Sequence, residues 1–288
     1  MSEPSQARTL PELRAQVALW RRQGLTVGFV PTMGALHAGH LDLVAHALER
    51  CDRAVVSIFV NPTQFAPTED LDRYPRDEGG DLAKLAKVGA HLVWLPAVAT
   101  MYPEGEQTRV TVGGVSQGLE SVTRPHFFQG VATVVAKLLN QVQADIAVFG
   151  EKDYQQLLVI KRLARDLAMP TEIIGGATVR EADGLAMSSR NLLLKPEHRL
   201  AAPTLYLALN EAAAALASGA PAGPILEAAV ARLEGAGFQD IDYVELRDAE
   251  TLRTLPRLGN RPARLLAAAF LGPVRLIDNI PVPPRAAG

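Results

Sequence analysis

Apolar positions along the first 178 residues switch repeatedly between helical and strand spacing. Leu10, Leu13, Val17 and Trp20 recur at helical intervals behind Thr9 and Glu12, which have the spacing of a capping box, so a helix is predicted over about 10–22, ended by Gly24. TVGFVP (26–31) then reads as a strand, a helix follows from about His40 to Arg50, and AVVSIFV (54–60) has the β-branched run of a strand buried on both faces. The alternation continues with a helix near 77–88, a strand at 91–96, a helix at 127–143, a strand at 146–150, a helix at 154–168 and a strand at 171–175. Phe127, Phe128, Val131, Val134, Val135, Leu138, Leu139 and Val142 repeat every three to four residues, the stripe of a helix facing a core.

Strands interleaved with helices predict an α/β fold, a doubly wound parallel sheet over 1–178 whose ligands sit beyond the carboxyl ends of the strands. The texture changes after 178. Alanine-rich helices on either side of a Gly/Pro-rich loop (217–224) precede two predicted strands, IDYVELRD (241–248) and ARLLAAAFLGPVRLIDNI (263–280), which together make a smaller α+β C-terminal domain over 179–288.

Composition narrows the classes of function. Of 288 residues, 48% are hydrophobic and 21% charged, a globular balance, and the formal net charge of −2 offers no basic surface for a nucleic acid backbone. A single cysteine, Cys51, excludes an internal disulfide, fits a reducing cytosol, and lacks an evident base that would make it a nucleophile. The N-terminal stretch has no apolar signal core, and no segment approaches the roughly 18 apolar residues that span a bilayer. A cytoplasmic protein with no membrane partner is expected.

Candidate chemistry gathers at strand-to-helix junctions. PTMGALHAGH (31–40) places Gly34, His37, Gly39 and His40 where a strand hands over to a helix, and a helix amino terminus attracts anions. Two imidazoles three residues apart could donate to such an anion, ligate a metal, or simply cap the helix. His46, His91, His126 and His198 have no spacing that completes a metal site. FGEKDYQQ (149–156) puts Lys152 at a second junction, where it could reach phosphate, and Asp153 where it could cap the helix or steer a cation. MSSRN (187–191) offers two hydroxyls and a guanidinium, and FVNPTQF (59–65) offers Asn61 and Gln64 to a small polar substrate. RDEGGDLAKLA (76–86) reads as a solvated helix face. Neither a nucleophile elbow nor a GxxxxGK[ST] loop is present.

Five blocks in this order, TMGALHAGH, SIFVNPTQF, RYPRD, FGEKDYQQL and DGLAMSSRN, together with the closing RLIDN, closely resemble the pantoate–β-alanine ligase family. That family lies within the nucleotidyltransferase superfamily that carries a His-x-Gly-His signature. The resemblance runs from about residue 9 to 280. It implies a Rossmann-like fold with the C-terminal domain as a lid, and the ATP-dependent condensation of pantoate with β-alanine through a pantoyl adenylate, releasing pyrophosphate and AMP. ATP and Mg²⁺ are then the expected nucleotide and metal, with a homodimer as the assembly and the metal ligands unassigned. Met33, Gly34, Ala35, Leu36, His37, Ala38, Gly39 and His40 are expected to line the ATP site, with His40 as proton donor and His37 on the phosphates. Gly150, Glu151, Lys152, Asp153, Val179, Met187, Ser188, Ser189 and Arg190 would complete it. His37, His40 and Lys152 form the expected catalytic set. Gln64 and Gln156 are expected to hold pantoate, Gln64 also to meet β-alanine, with Asn61 and Tyr74 as neighbours.

The segment RPHFFQG (124–130) departs from the family pattern Arg-Pro-Gly-His-Phe-Arg-Gly, and neither His126 nor Gln129 is assigned a site role. Two alternatives remain at this stage: an adenylyltransferase that stops at AMP transfer, and a nucleotide-binding regulator without turnover.

Overall fold

The structure, a computed structural model, describes residues 3–65 and 74–285. Arg73 of the RYPRD block lies outside the described residues. Contacts divide the chain into two compact units, one of residues 1–151 and 155–177, the other of residues 152–154 and 178–288.

The first unit is built on six parallel strands, β1 (Ser5–Ala7), β2 (Val27–Thr32), β3 (Arg53–Ile58), β4 (Leu92–Trp94), β5 (Ile146–Gly150) and β6 (Glu172–Gly176), in the order β1-β4-β3-β2-β5-β6. Its main helices are α1 (Leu10–Arg22), α2 (Ala38–Leu48), α3 (Glu78–Val88), α6 (Phe127–Val142) and α7 (Tyr154–Asp166), with the short α4 (Val98–Met101) and α5 (Glu120–Thr123) between α3 and α6.

Side chains along a strand point alternately to opposite faces, and here the period of two sorts them into two cores. Val27, Phe29, Val55, Leu92, Trp94, Ala147 and Phe149 pack on the face that α1 and α6 cover. Val30, Ala54, Val56, Val93, Ile146 and Val148 pack on the other, with Leu43, Val44 and Ala47 of α2 and Leu85 of α3. Burial on both faces explains the near-continuous apolar runs that parallel strands require. The capping box at α1 forms as its sequence predicts: Glu12 N–H donates to Thr9 Oγ1 at 3.4 Å, and Thr9 N–H to Glu12 Oε2 at 3.0 Å.

Strand order reverses between β2 and β5, which pair through Gly28–Ile146 and Phe29–Ala147. A doubly wound sheet opens its ligand crevice at such a switch point, beyond the carboxyl ends of the strands. The segments that leave those two ends begin at Met33 and Glu151.

In the second unit, β7 (Gln239–Asp248), β8 (Ala263–Leu271) and β9 (Val274–Val282) form an antiparallel sheet in that order. The short α8 (Pro196–Ala201) leads into α9 (Thr204–Leu216), and α9 and α10 (Ala222–Gly235) supply Leu205, Leu209, Leu216 and Leu233 to a core that includes Leu246, Leu265, Ala267 and Leu276. The single strand expected over 263–280 is instead a hairpin, because Gly272 adopts φ +59° and turns the chain back on itself. The three-residue β1 and the short helices α4, α5 and α8 have no counterpart in the periodicity of the sequence.

Candidate active site

The loop after β2 is held in an unusual backbone conformation. Gly34 and Ala35 both have positive φ, +85° and +50°, and a Cβ at position 34 would lie 3.1 Å from Ile58 Cγ2 and 3.2 Å from Asp81 Oδ2. Glycine suits that position because it carries no side chain into either contact. Thr32 Oγ1 donates to Ser57 O at 2.7 Å and accepts from Gly34 N–H at 3.3 Å, tying the start of the loop to β3. Alanine at φ +50° is strained, and such strain concentrates at sites that the surrounding structure over-determines.

Helix α2 starts at Ala38, two residues earlier than its periodicity suggests, with His37 as its N-cap. The two imidazoles form a capping box: Gly39 N–H donates to His37 Nδ1 at 3.2 Å, and His37 N–H donates to His40 Nδ1 at 3.3 Å. Their ring centroids are 4.1 Å apart. A ring nitrogen that accepts an N–H carries no proton, so each neutral imidazole holds its hydrogen on Nε2. Capping and donation therefore use different nitrogens of the same ring. The helix terminus anchors each ring by Nδ1 and thereby sets Nε2–H as the donor.

The supposedly solvated helix face at 76–86 supplies the loop's other anchor. Asp81 is 1% exposed, and its Oδ1 accepts the Leu36 N–H at 2.8 Å. Lys84 Nζ lies 3.5 Å from that same carboxylate oxygen and donates to Leu36 O at 2.9 Å. Both backbone groups of Leu36, the residue before His37, are thus held by one turn of α3. An (i, i+3) Asp–Lys pair looks like ordinary surface charge in sequence, and only the packing of α3 against the loop reveals its role.

The segment leaving β3 runs beside the same loop, because Phe59 N–H donates to Thr32 O at 3.0 Å. Asn61 caps a single 3-10 turn, Pro62–Gln64, and is 1% exposed. Its Nδ2 donates to Gln64 Oε1 at 3.0 Å, so the two expected pantoate-side residues are in contact. Arg124 donates to Gln64 O at 3.0 Å and stacks 4.0 Å over the Phe127 ring, while Gln129 donates to Thr111 Oγ1 at 3.1 Å. Tyr74 meets Phe65 edge-on at 5.7 Å, next in chain to Gln64.

The adjacent glutamines at the head of α7 have different environments. Gln155 is 4% exposed; it donates to the carbonyls of Val115 and Gly118 at 3.1 and 3.2 Å and accepts the Glu120 N–H at 3.2 Å, holding the 115–120 loop. Gln156 is half-buried, one position further round the helix.

Lys152 and Asp153 belong to the second unit, as do Val179, Met187, Ser188, Ser189 and Arg190. The end of β9 grips both segments. Asn279 Nδ2 donates to Lys152 O at 2.8 Å, Arg264 Nε donates to Asn279 Oδ1 at 2.6 Å, and the Arg264 guanidinium stacks 4.0 Å over Tyr154. The neighbouring Asp278 receives both terminal nitrogens of Arg180, at 2.7 and 2.9 Å, with the Arg180 guanidinium 3.8 Å over Tyr206. Arg180 starts a small hairpin in which Met187 N–H donates to Val179 O at 3.0 Å. Arg199 braces it through Glu181 and Asp183, which holds the Asp183 carboxyl below the usual carboxylate range. Ser188 Oγ accepts the Arg190 N–H at 3.2 Å. The RLIDN block is thus the support from which Lys152 and the MSSRN segment extend.

Residues 5–281 match the family model described as pantoate–β-alanine ligase. The chain belongs to the pantoate–β-alanine ligase family. It is 57% identical over 279 residues to a pantothenate synthetase of Hyphomonas neptunium, covering 96% of this chain and 95% of that protein. A pantothenate synthetase of Rhodospirillum rubrum is 56% identical over 276 residues, covering 96% and 98%. Among solved structures, pantothenate synthetase from Thermus thermophilus superposes with a TM-score of 0.89 at 46% identity, covering 97% of this chain and all of that one. The Francisella tularensis pantoate–β-alanine ligase, solved in complex with beta-gamma ATP and β-alanine, superposes with a TM-score of 0.81 at 33% identity, covering 96% and 97%. As a member of the pantoate–β-alanine ligase family, this chain is an enzyme that carries out ATP-dependent ligation of pantoate to β-alanine.

One sequence expectation outside this machinery, the unreactive thiol, also has a structural counterpart. Cys51 is buried, and burial pushes its thiol above the ordinary value, which disfavours the reactive thiolate. No helix among the described residues is long and apolar enough to cross a membrane.

Proposed function

We propose that ligation proceeds in two displacements assisted by the imidazole pair and by Lys152. A carboxylate reacts poorly with an amine because an oxide is a poor leaving group. In the first step a pantoate carboxylate oxygen attacks the α-phosphorus of ATP, the α–β bridging P–O bond breaks, and pyrophosphate leaves with the electron pair. In the second the amine of β-alanine attacks the acyl carbon of the pantoyl adenylate, loses a proton, and AMP departs with the C–O electrons. The products are pantothenate, AMP and pyrophosphate.

The observation that carries this reading is that both imidazoles accept a backbone N–H at Nδ1. Two Nε2–H donors, fixed at the carboxyl end of β2 beside the switch point, are preorganised for charge that grows on phosphate oxygens. In this scheme His40 acts as the proton donor and His37 meets the phosphates. Met33–His40, Gly150, Glu151, Asp153, Val179 and Met187–Arg190 contact the nucleotide, Lys152 supplies a point charge to phosphate, and Gln64 and Gln156 hold pantoate. In this scheme the 179–288 region has the role of a lid.

Among the described residues no three His, Cys, Asp or Glu side chains group as a metal site. In this scheme a Mg²⁺ would arrive on the ATP phosphates, with the Asp153 carboxylate beside Lys152 the oxygen donor that could share it. Bound there, the ion would neutralise phosphate charge. A homodimer and a cytoplasmic location complete the proposal.

The test is exchange of labelled pyrophosphate into ATP without β-alanine. The two-step scheme predicts exchange that requires pantoate. An adenylyltransferase would exchange without it, and a non-catalytic binder would show none. His40→Ala and Lys152→Ala are each expected to slow exchange by about 10²-fold or more, the loss typical of one preorganised donor. Near-normal exchange in both variants would remove their assigned roles.

A further inference from the structure

Tyr102 has no part in the scheme above, yet its hydroxyl ends on the residue that orients Gln64. The Asn61 side-chain amide sits between two backbone groups that can each be read in only one way. Thr63 N–H is a donor and lies 3.3 Å from Oδ1; Gly130 O is an acceptor and lies 3.4 Å from Nδ2. The amide can therefore face in only one direction, with oxygen toward Thr63 and nitrogen toward Gly130. Because Nδ2 also reaches the Gln64 amide at 3.0 Å, Gln64 must offer its Oε1 to Asn61. Its Nε2, with two N–H donors, is then the end turned away from Asn61.

The hydroxyl of Tyr102 donates to Asn61 Oδ1 at 2.7 Å, the shortest bond in this set, beside the Thr63 hydroxyl at 3.0 Å. Its ring is held between Phe59, with centroids 6.2 Å apart, and Lys137, whose Nζ lies 5.2 Å from the ring centroid. Lys137 is itself fixed by the Met101 carbonyl at 2.8 Å and by Glu106 at 3.0 Å. Burial holds the phenol above its ordinary value of 10, so the hydroxyl remains a donor throughout the neutral range.

We propose that Tyr102 is a positioning residue for substrate selection: through Asn61 it locks the Gln64 amide so that only N–H donors face the ligand, which selects an oxygen acceptor such as the carboxylate or hydroxyl of pantoate. Resting on the assignment of Gln64 to pantoate, this inference adds the direction in which Gln64 is read and the side chain whose short bond reinforces it. Asn61, almost completely buried with both amide atoms bonded, acts through Gln64. An ammonium group, which only donates, finds Gln64 Oε1 already engaged by Asn61 Nδ2 in this arrangement. Tyr102 lies 41 residues from Asn61, so sequence spacing did not connect them.

The experiment measures KM for pantoate and for ATP, kcat and the thermal midpoint in Tyr102→Phe, Gln64→Ala and the double variant. Tyr102→Phe keeps the packed ring and removes one hydrogen bond. It is expected to raise KM for pantoate by about 5- to 10-fold, the factor one hydrogen bond is worth, with KM for ATP and kcat within about twofold and the midpoint little changed. The double variant should bind pantoate no worse than Gln64→Ala alone, because Tyr102 has nothing left to position. If Gln64→Ala leaves KM for pantoate unchanged, the assignment of Gln64 itself fails and the inference falls with it. If Gln64→Ala raises that KM while Tyr102→Phe does not, the relay is refuted and the assignment stands. Equal losses for ATP and pantoate, or additive losses in the double variant, would reduce Tyr102 to a packing residue and overturn the proposal.

Discussion

Replacing Asp81 by alanine separates two roles that a buried carboxylate can combine, stabilising the fold and shaping the histidine loop. The side chain is 1% exposed and accepts the Leu36 N–H at 2.8 Å. A hydrogen bond to a charged acceptor contributes about 1.5–3 kcal/mol, and its loss leaves a buried N–H unpaired. The ion pair with Lys84 adds little, about 0–1 kcal/mol, because the lysine side chain is 41% exposed at 3.5 Å. Asp81→Ala is therefore expected to destabilise the protein by about 2–3 kcal/mol, and Asp81→Asn, which retains an acceptor oxygen, by about 1 kcal/mol. Urea titrations with a common slope give both values as midpoint shifts. The catalytic consequence is read separately as pyrophosphate exchange at saturating ATP and pantoate under conditions where each variant is folded. There Asp81→Ala should lose about 10-fold or more, since small displacements of positioned groups are costly to rate. A stability change under about 0.5 kcal/mol, well below the worth of such a bond, would show that the carboxylate does not hold Leu36. Full exchange activity in a destabilised but folded variant would show that the loop keeps its shape without this anchor, and would refute the link from α3 to the imidazoles.

Three further outcomes follow from contacts elsewhere. A Cβ at position 130 would lie 2.5 Å from the Thr63 carbonyl oxygen, so Gly130→Ala must push α6 off the Asn61–Gln64 turn; overpacking of this kind costs about 1–3 kcal/mol, and KM for pantoate should rise while KM for ATP stays put. Asn279→Ala releases the Lys152 carbonyl and the Arg264 side chain together, and is expected to lower the exchange rate by about 10²-fold with the first unit's hydrogen-exchange protection unchanged. His91 has its pKa lowered by burial and, secondarily, by Arg53, while its Nδ1 accepts the Ala54 N–H at 3.2 Å. The unfolded chain therefore takes up this proton at higher pH than the folded one, so its contribution to stability is complete above about pH 6.5 and falls as the pH drops below that. His91→Asn should flatten the stability profile between about pH 7 and pH 5, and an unchanged slope would exclude His91 as its source.

Elements with a strong period are legible in the sequence alone. The stripe on α6 and the β-branched run of β3 report burial directly, because one face or both must be apolar wherever an element packs. The hairpin of β8 and β9 is marked in sequence only by Gly272-Pro273, a turn signal that is easily passed over because LLAAAFLGPVRLI is apolar on both sides of it. Three residues of β1 are too few to show alternation, and they become a strand by pairing with β4. At the site, glycines and histidines at a strand end marked the loop itself. What holds the loop and the neighbouring Asn61–Gln64 turn does not register, because Asp81, Lys84 and Tyr102 are common residue types whose meaning comes from partners 41 to 48 positions away. The histidine pair shows a different kind of gap: spacing allowed capping or donation as rival readings, and the bonding assigns each to its own nitrogen.

The short excursion of residues 152–154 out of the first unit and into the second has a practical consequence for anyone recombining family members. The polypeptide crosses between the units at three peptide junctions, 151/152, 154/155 and 177/178, so a single scission cannot yield two intact halves. A chimaera that takes residues 178–288 from one parent and the remainder from another would seat a foreign Lys152 backbone on the donor's Asn279 and a foreign Tyr154 ring beneath the donor's Arg264. Transplanting the three-residue insert along with the carboxyl-terminal portion keeps each gripping side chain with the backbone it evolved to hold.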